Sequence, residues 1–298
     1  MLKVAVFGYG NTGKAAVEAI DAAGDMELCG IVMRAQSVNK PRGFVTVPVV
    51  DDIRKLNPKP DAAIICVPTR LMPEIAEKCL EQGINTVDSF DIHTEIWQLR
   101  QRLDVAAKKG GGRAVVSTGI DPGCDSVVRA LIEALAPKGK TFTDFGPGMS
   151  MGHTVAAKAI DGVKNALSMT IPLGAGVHRR MVYIELQDGY AFSDVAAKIK
   201  ADPYFANDET HVYLENDVDS LIDIGHAAKV SRKGVSGKAH NQLFEFSMKV
   251  NNPAMTAQAM VACARAAAKQ APGAYTMIEL AVADMIEGGI EGIVRRLV

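Results

Sequence analysis

The sequence predicts an α/β fold: a doubly wound parallel sheet, then a smaller α+β domain with a mostly antiparallel sheet. Three observations predict it. Apolar runs alternate with helix-favouring segments up to about residue 121. The first run, Leu2 to Phe7, enters the turn Gly8-Tyr9-Gly10-Asn11-Thr12-Gly13, and a helical segment, Lys14 to Ala23, leaves it. Beyond residue 121, strand-like runs follow one another with few helices between them.

The glycine turn has G-x-G-x-x-G spacing in a strand–helix setting, the mark of a Rossmann-type dinucleotide site. Gly8 permits the tight turn, Gly10 lets a pyrophosphate approach the backbone, and Gly13 lets the helix lie close to the strand. The free N–H groups at the helix start, with Asn11 and Thr12, face the phosphates. Met26 to Val32 is the second strand. An acidic residue at its end would hold a ribose 2′-hydroxyl, whereas an arginine suits a 2′-phosphate. Met33-Arg34 stands there, about twenty residues past the glycines. Arg34, helped by Lys14 or Lys40, points to NADP.

Gly43 to Val50 is a short strand candidate, marked as an edge by Pro48. Ala62 to Val67 is continuously apolar, the pattern of a strand covered on both faces. A helix from about Met72 to Gln82, a strand from Ile84 to Val87, a helix from about Thr94 to Lys108 and a sixth strand from Ala114 to Ser117 follow. Ligands of such sheets bind at the carboxyl ends of the strands. Those ends carry Cys66-Val67-Pro68-Thr69, Asp88-Ser89-Phe90-Asp91 and Asp121-Pro122-Gly123. They are the remaining cofactor-facing candidates.

In the second domain a helix from Cys124 to Leu135 ends at Ala136-Pro137-Lys138-Gly139. A glycine-rich turn, Phe145 to His153, opens another helix. Strand-like runs cover Ala166 to Ile171, Arg180 to Leu186, Val212 to Glu215, Ala228 to Ser231 and Leu243 to Val250, with a helix at about Phe192 to Ala201. Asn251-Asn252-Pro253 stops the last run. An alanine-rich helix, about Ala254 to Lys269, has the small residues that suit tight packing.

The net charge of −1 gives no general pull toward nucleic acid or an anionic membrane. No apolar run is long enough to span a bilayer, and the N-terminus enters a strand with no secretion signal. The five cysteines are scattered without a C-x-x-C pair, and the six histidines lack metal-ligand spacing. Reduced thiols, a cytoplasmic location and no metal site are expected.

Asp91 and Asp121 sit past neighbouring strand ends, where an aspartate can bind a substrate ammonium or move its proton. Asp88 competes for that role. Both sites also suit helix N-caps, with Pro122 at a first helical position, and these alternatives stay open. Thr170, Arg180, His226 and Asn252 lie at or near the ends of apolar runs. An arginine with hydroxyl and amide neighbours can hold a carboxylate bidentately, but chain order does not bring these residues together.

Five motifs follow in order: Gly8 to Gly13, Val87-Asp88-Ser89-Phe90-Asp91-Ile92-His93, Ser117-Thr118-Gly119-Ile120-Asp121-Pro122-Gly123, Phe145-Gly146-Pro147-Gly148-Met149-Ser150-Met151-Gly152-His153, and Asn251-Asn252-Pro253. End to end, the chain resembles the meso-diaminopimelate dehydrogenases, in their compact subtype. The resemblance implies reversible NADP-dependent oxidative deamination at the D-centre of meso-2,6-diaminopimelate, serving lysine and diaminopimelate synthesis. It implies that Asp91 and Asp121 face the D-centre amine and that Met151 and Gly152 bind its carboxylate. Phe145 would form an apolar wall. Thr170, Arg180, His226 and Asn252 would bind the distal L-centre, so that only one of two alike ends reacts.

The resemblance also implies a split first domain, 1–121 with a C-terminal return at 252–298, and a substrate and dimerisation domain at 122–251 of a homodimer. The family usually has Trp where this chain has Ile120, which keeps only an apolar surface. Three alternatives remain. A D-amino-acid dehydrogenase of broader specificity is one, and a non-catalytic NADP-sensing protein is another. Dihydrodipicolinate reductase ranks low, because no His-His pair occurs.

Overall fold

In the computed structural model the described residues are 1–38, 46–222 and 225–298, without the side chains of Met151 and His226. Lys40 and the first part of the Gly43–Val50 strand candidate lie outside them. The chain divides into two compact units, Met1–Val127 with Pro253–Val298, and Val128–Asn252.

The first unit alternates β1 (Leu2–Phe7), α1 (Asn11–Asp21), β2 (Met26–Val32), β3 (Val49–Val50), β4 (Ala62–Ile65), α2 (Met72–Leu80), β5 (Asn85–Asp88), α3 (Ile96–Gly110) and β6 (Arg113–Val116). The chain leaves it along α4 (Asp125–Leu135). The second unit holds β7 (Lys138–Phe145), β8 (Gly148–Met149), α5 (Met151–Lys158), β9 (Val163–Gly174), β10 (Val177–Leu186), α6 (Phe192–Ala201), β11 (Glu209–Leu214), β12 (Gly225–Ser236) and β13 (Ala239–Asn251). Then α7 (Asn252–Ala267), β14 (Gly273–Thr276), α8 (Val282–Met285) and α9 (Ile290–Leu297) complete the first unit.

The first unit is a Rossmann-like sheet of seven parallel strands in the order β14-β6-β5-β4-β1-β2-β3. Strand alternation divides its core. Val4, Val6, Ile64, Val87 and Val115 face α1 and α7, whereas Ile65, Ala114 and Val116 face α2 and α3. That is the doubly wound arrangement. Each of the larger buried aliphatic side chains contributes roughly 1.5–3 kcal/mol. The small residues of α7, among them Ala257, Ala264, Ala266 and Ala267, are fully buried, so this helix lies close to the sheet. The strand order turns back at β1 and β4, which places the ligand crevice beyond the ends of those two strands.

In the described residues β3 is shorter than its sequence candidate. β14 is a seventh strand absent from the sequence expectation, and β7 is likewise new: only its first residues, Lys138 and Gly139, fell in the stretch that ends the preceding helix, and Lys140 to Asp144 had no assignment. β7 carries polar residues on both faces, Lys138 and Lys140 on one and Thr141 and Thr143 on the other, which hides its period-two pattern.

The second unit carries two sheets where the sequence suggested one. They are β11-β10-β9-β8 and β13-β12-β7. All pairs are antiparallel except β10 with β11. Its core joins α5, α6, β9 and β10 through Ala157, Ala166, Val182, Ile184, Val195, Ile199 and Phe205.

Candidate active site

The glycine turn closes as its spacing requires. Gly8 has φ +84°, and a Cβ there would lie 2.4 Å from the Cys66 carbonyl oxygen. A Cβ on Gly13 would lie 2.3 Å from the Gly8 carbonyl oxygen, whereas one on Gly10 would meet nothing within 4 Å. The backbone is therefore packed on one side and open at Gly10. Helix α1 starts there with no side-chain cap and no acidic residue in its first turn. Its first N–H groups, including those of Asn11 and Thr12, remain available to an anion. A cavity of about 990 Å³ opens at this turn, lined by Gly8, Gly10, Val32, Arg34, Cys66, Val67 and Pro68 among others. Arg54 on the same cavity is paired with Asp52, but no described carboxylate pairs with Arg34. These features fit a dinucleotide with a phosphate beside Arg34.

The strand ends next to the turn hold the candidate acids. Asp91 is exposed, and its Oδ1 accepts a 2.7 Å hydrogen bond from the Thr69 hydroxyl. The following short turn, His93–Glu95, and helix α3 have no side-chain caps, so Asp91 does not act as an N-cap. Asp121 lies in the turn Ile120–Cys124, and α4 begins only at Asp125, so Pro122 is not its first residue. Ser89 is half-buried, while Gly123 and Ile120 are buried.

Asp88 is enclosed. Its Oδ1 accepts the N–H groups of Phe90 and Ser117, each at 3.0 Å. Its backbone oxygen accepts from Thr118 N–H and Oγ at 2.7 and 2.8 Å. No described residue donates to Oδ2. Burial pushes the Asp88 carboxyl up to about 6. Asp88 is thus a clasp between the ends of β5 and β6, and it does not compete with Asp91 and Asp121 for solvent or ligand. Phe90 likewise packs its ring into the core, which leaves only its main chain to offer a ligand.

The second unit has a cavity of its own, about 220 Å³, lined by Phe145, Gly146, Gly148, Met149, Ser150, His153, Thr170, Arg180 and Asn252. Strand register builds it. Arg180 on β10 stands opposite Thr170 on β9 and Thr210 on β11. The Arg180 Nη1 donates to Thr170 Oγ1, and its Nε donates to Asp208 at 2.6 Å. Gly152 is exposed at the start of α5. His178 stacks on Phe145, and its Nε2 accepts the Phe145 N–H at 2.8 Å, which requires an unprotonated Nε2. His153 Nδ1 is 2.8 Å from Ser150 Oγ, and its ring meets Tyr204 and Phe205 edge-on. Burial first, and then the Arg180 charge, lower the basicity of both histidines. The arrangement is a guanidinium in a small pocket beside neutral rings, suited to a carboxylate.

Comparison with known proteins agrees with both units. Residues 2–111 match the model of an oxidoreductase family with an NAD-binding Rossmann fold, and residues 119–252 match the diaminopimelic acid dehydrogenase C-terminal domain. The meso-diaminopimelate D-dehydrogenase of Bacteroides fragilis is 57% identical over 100% of this chain and 99% of that protein. The chain belongs to the meso-diaminopimelate D-dehydrogenase family. A solved structure of the C. glutamicum diaminopimelate dehydrogenase in complex with DAP is 28% identical, with a TM-score of 0.87 over 100% of this chain and 99% of that one. An engineered D-amino acid dehydrogenase bound to NADP⁺ is also 28% identical, with a TM-score of 0.81 over 100% and 99%.

Among the sequence candidates, the cavity of the second unit gathers Phe145, Thr170, Arg180 and Asn252. The side chains of His226 and Met151 lie outside the described residues. His178 and Asp208 were absent from the sequence candidates, and Ser150 and His153 stood in their motif without a role. A register argument pairing β10 with β11 would have found Asp208, but neither strand end could be fixed without the fold.

Proposed function

We propose that this chain catalyses the NADP-dependent oxidative deamination of meso-2,6-diaminopimelate at its D-centre. The products are L-2-amino-6-oxopimelate, ammonia and NADPH. The observation that carries this reading is the Arg180–Thr170 pocket, in a chain whose other unit bears the glycine cradle. One is built for a carboxylate, the other for a dinucleotide.

The cradle of Gly8, Gly10, Asn11, Thr12 and Gly13 would hold the pyrophosphate, with Arg34 at the 2′-phosphate. Cys66, Val67, Pro68 and Thr69, the main chains of Asp88, Ser89 and Phe90, and Asp121, Pro122 and Gly123 would line the rest. When bound, NADP⁺ supplies the acceptor for a hydride. Asp91 and Asp121 hold the D-centre ammonium and take its proton as the Cα–H leaves with its electron pair. The resulting imine gains water and releases ammonia, which leaves the 2-oxo acid. Met151 and Gly152 bind the D-carboxylate, and Phe145 forms an apolar wall. Thr170, Arg180, His226 and Asn252 hold the L-end, so the reacting carbon is selected by remote binding.

The test is spectrophotometric. Protein mixed with meso-diaminopimelate and NADP⁺ is expected to produce NADPH. Failure with the meso isomer, or equal rates with the L,L isomer, would sink the assignment. Equal rates with NAD⁺ would remove Arg34 from its role. Comparable efficiency on simple D-amino acids would replace the assignment with the broader specificity. We also place the enzyme in the cytoplasm as a homodimer. Its five cysteines are free thiols, and Phe142 and Leu243, on one face of the three-stranded sheet, are exposed. No helix of the described residues is long and apolar enough to cross a membrane. Light scattering that gives the mass of one chain would exclude the dimer.

A further inference from the structure

We propose that Asp208 is a positioning residue for Arg180, and that the Arg180–Asp208 pair makes the pocket prefer a zwitterionic distal end to a purely anionic one. This rests on the carboxylate-binding role given to Arg180 above.

The guanidinium is fixed from two sides. Thr170, directly opposite on β9, takes Nη1, and Asp208, at the entrance to β11, takes Nε at 2.6 Å. The Asp208 segment is itself tied down. Its N–H donates to the Phe205 carbonyl at 3.1 Å, and the Thr210 hydroxyl bonds the carbonyls of Phe205 and Asp208, each at 3.2 Å. Phe205 is a fully enclosed core residue, so the anchor reaches the unit's core. No described residue accepts from Nη2. Held at Nε and Nη1, the planar fork keeps Nη2 for a ligand in one orientation, and little rotamer entropy is lost on binding.

The charge balance adds specificity. The Arg180 side chain is 12% exposed and that of Asp208 26%, so the ion pair is only partly screened. His178 is held neutral by the N–H it accepts from Phe145. The pair therefore presents a dipole of zero net charge. A distal end with both ammonium and carboxylate matches it, whereas a bare carboxylate brings an uncompensated negative charge toward Asp208.

The probes are meso-2,6-diaminopimelate and D-2-aminopimelate, which lacks the distal ammonium. Turnover with NADP⁺ and calorimetric affinity are measured for wild type, Asp208→Ala, Asp208→Asn, Arg180→Ala and the double alanine variant. Asp208→Ala should raise the meso KM by about tenfold with kcat nearly unchanged. Asp208→Asn keeps an oxygen for Nε but loses the charge. It should shift the preference for the meso compound toward 2-aminopimelate by roughly fivefold or more. In the Arg180→Ala background, loss of Asp208 should add nothing further. An unchanged KM and preference, or an equal added loss without Arg180, overturns the positioning role. Wild-type protein that binds the meso compound but does not oxidise it overturns the enzymatic assignment, while the affinities still decide the role of Asp208. Wild-type protein that does neither overturns both.

Discussion

Thr69 donates its hydroxyl hydrogen to Asp91, and so joins the turn after β4 to the turn after β5. A candidate acid at a strand end is thereby aimed by a neighbouring strand and not by a helix. The bond orients a carboxylate that would otherwise sample several rotamers in water. Because Asp91 is exposed, the bond is worth less than a buried charge-assisted one. Thr69→Ala should lower kcat about three- to tenfold, and Thr69→Ser should restore it. Wild-type turnover in Thr69→Ala, read by steady-state kinetics, would show that the bond is incidental.

Arg180 is expected to act on binding more than on chemistry. Arg180→Ala should raise the meso-diaminopimelate KM on the order of 10²-fold, with kcat changed far less. Arg180→Lys should recover little, since an ammonium cannot bond Thr170 and Asp208 in one plane and still reach a ligand. A fall in kcat at unchanged KM would place Arg180 in the chemical step and contradict its assignment.

The glycine turn separates packing from ligand approach. Gly13→Ala would drive a methyl group to 2.3 Å from the Gly8 carbonyl oxygen, and backbone must shift to admit it. A loss of about 1–3 kcal/mol in stability is expected, together with weaker NADP binding. A methyl group on Gly10 meets no atom within 4 Å, and that residue has an ordinary φ of −79°. Gly10→Ala should hold its stability to within about 0.5 kcal/mol while NADP affinity falls. Paired melting curves and cofactor titrations decide this. Equal stability loss in both variants would contradict the division of roles.

The first sheet was legible because its strands are covered on both faces. Ala62 to Ile65 reads as continuously apolar and is wholly buried. β14 escaped notice because Gly273–Thr276 is too short to show a period, and it is a strand only through its pairing with β6. The second unit was less legible. β9–β10 and β12–β13 are local hairpins, but β7 pairs with β12 across a long separation, and no local signal divides the strands into two sheets. In the site, Arg180 and Thr170 were readable as residue types but their meeting depends on register. Asp88 shows the limit most plainly. Beside Asp91 in sequence, it has the same chemistry and the opposite environment.

That environment gives Asp88 a measurable signature. Its carboxyl is wholly enclosed, and burial raises its pKa from 3.8 to about 6 against the two N–H bonds that oppose the rise. The folded state therefore binds this proton more tightly than the unfolded chain does. The stabilisation is fully present below pH 3.8 and is lost as the pH rises through about 6. The difference is on the order of 3 kcal/mol. Asp88→Asn keeps one oxygen for the Phe90 and Ser117 amides and carries no charge at any pH. Its melting temperature, relative to wild type, should rise between about pH 4 and pH 7 and then level off. A difference that stays constant over that range would mean that Asp88 titrates like an exposed carboxylate, and its burial would then have no energetic consequence.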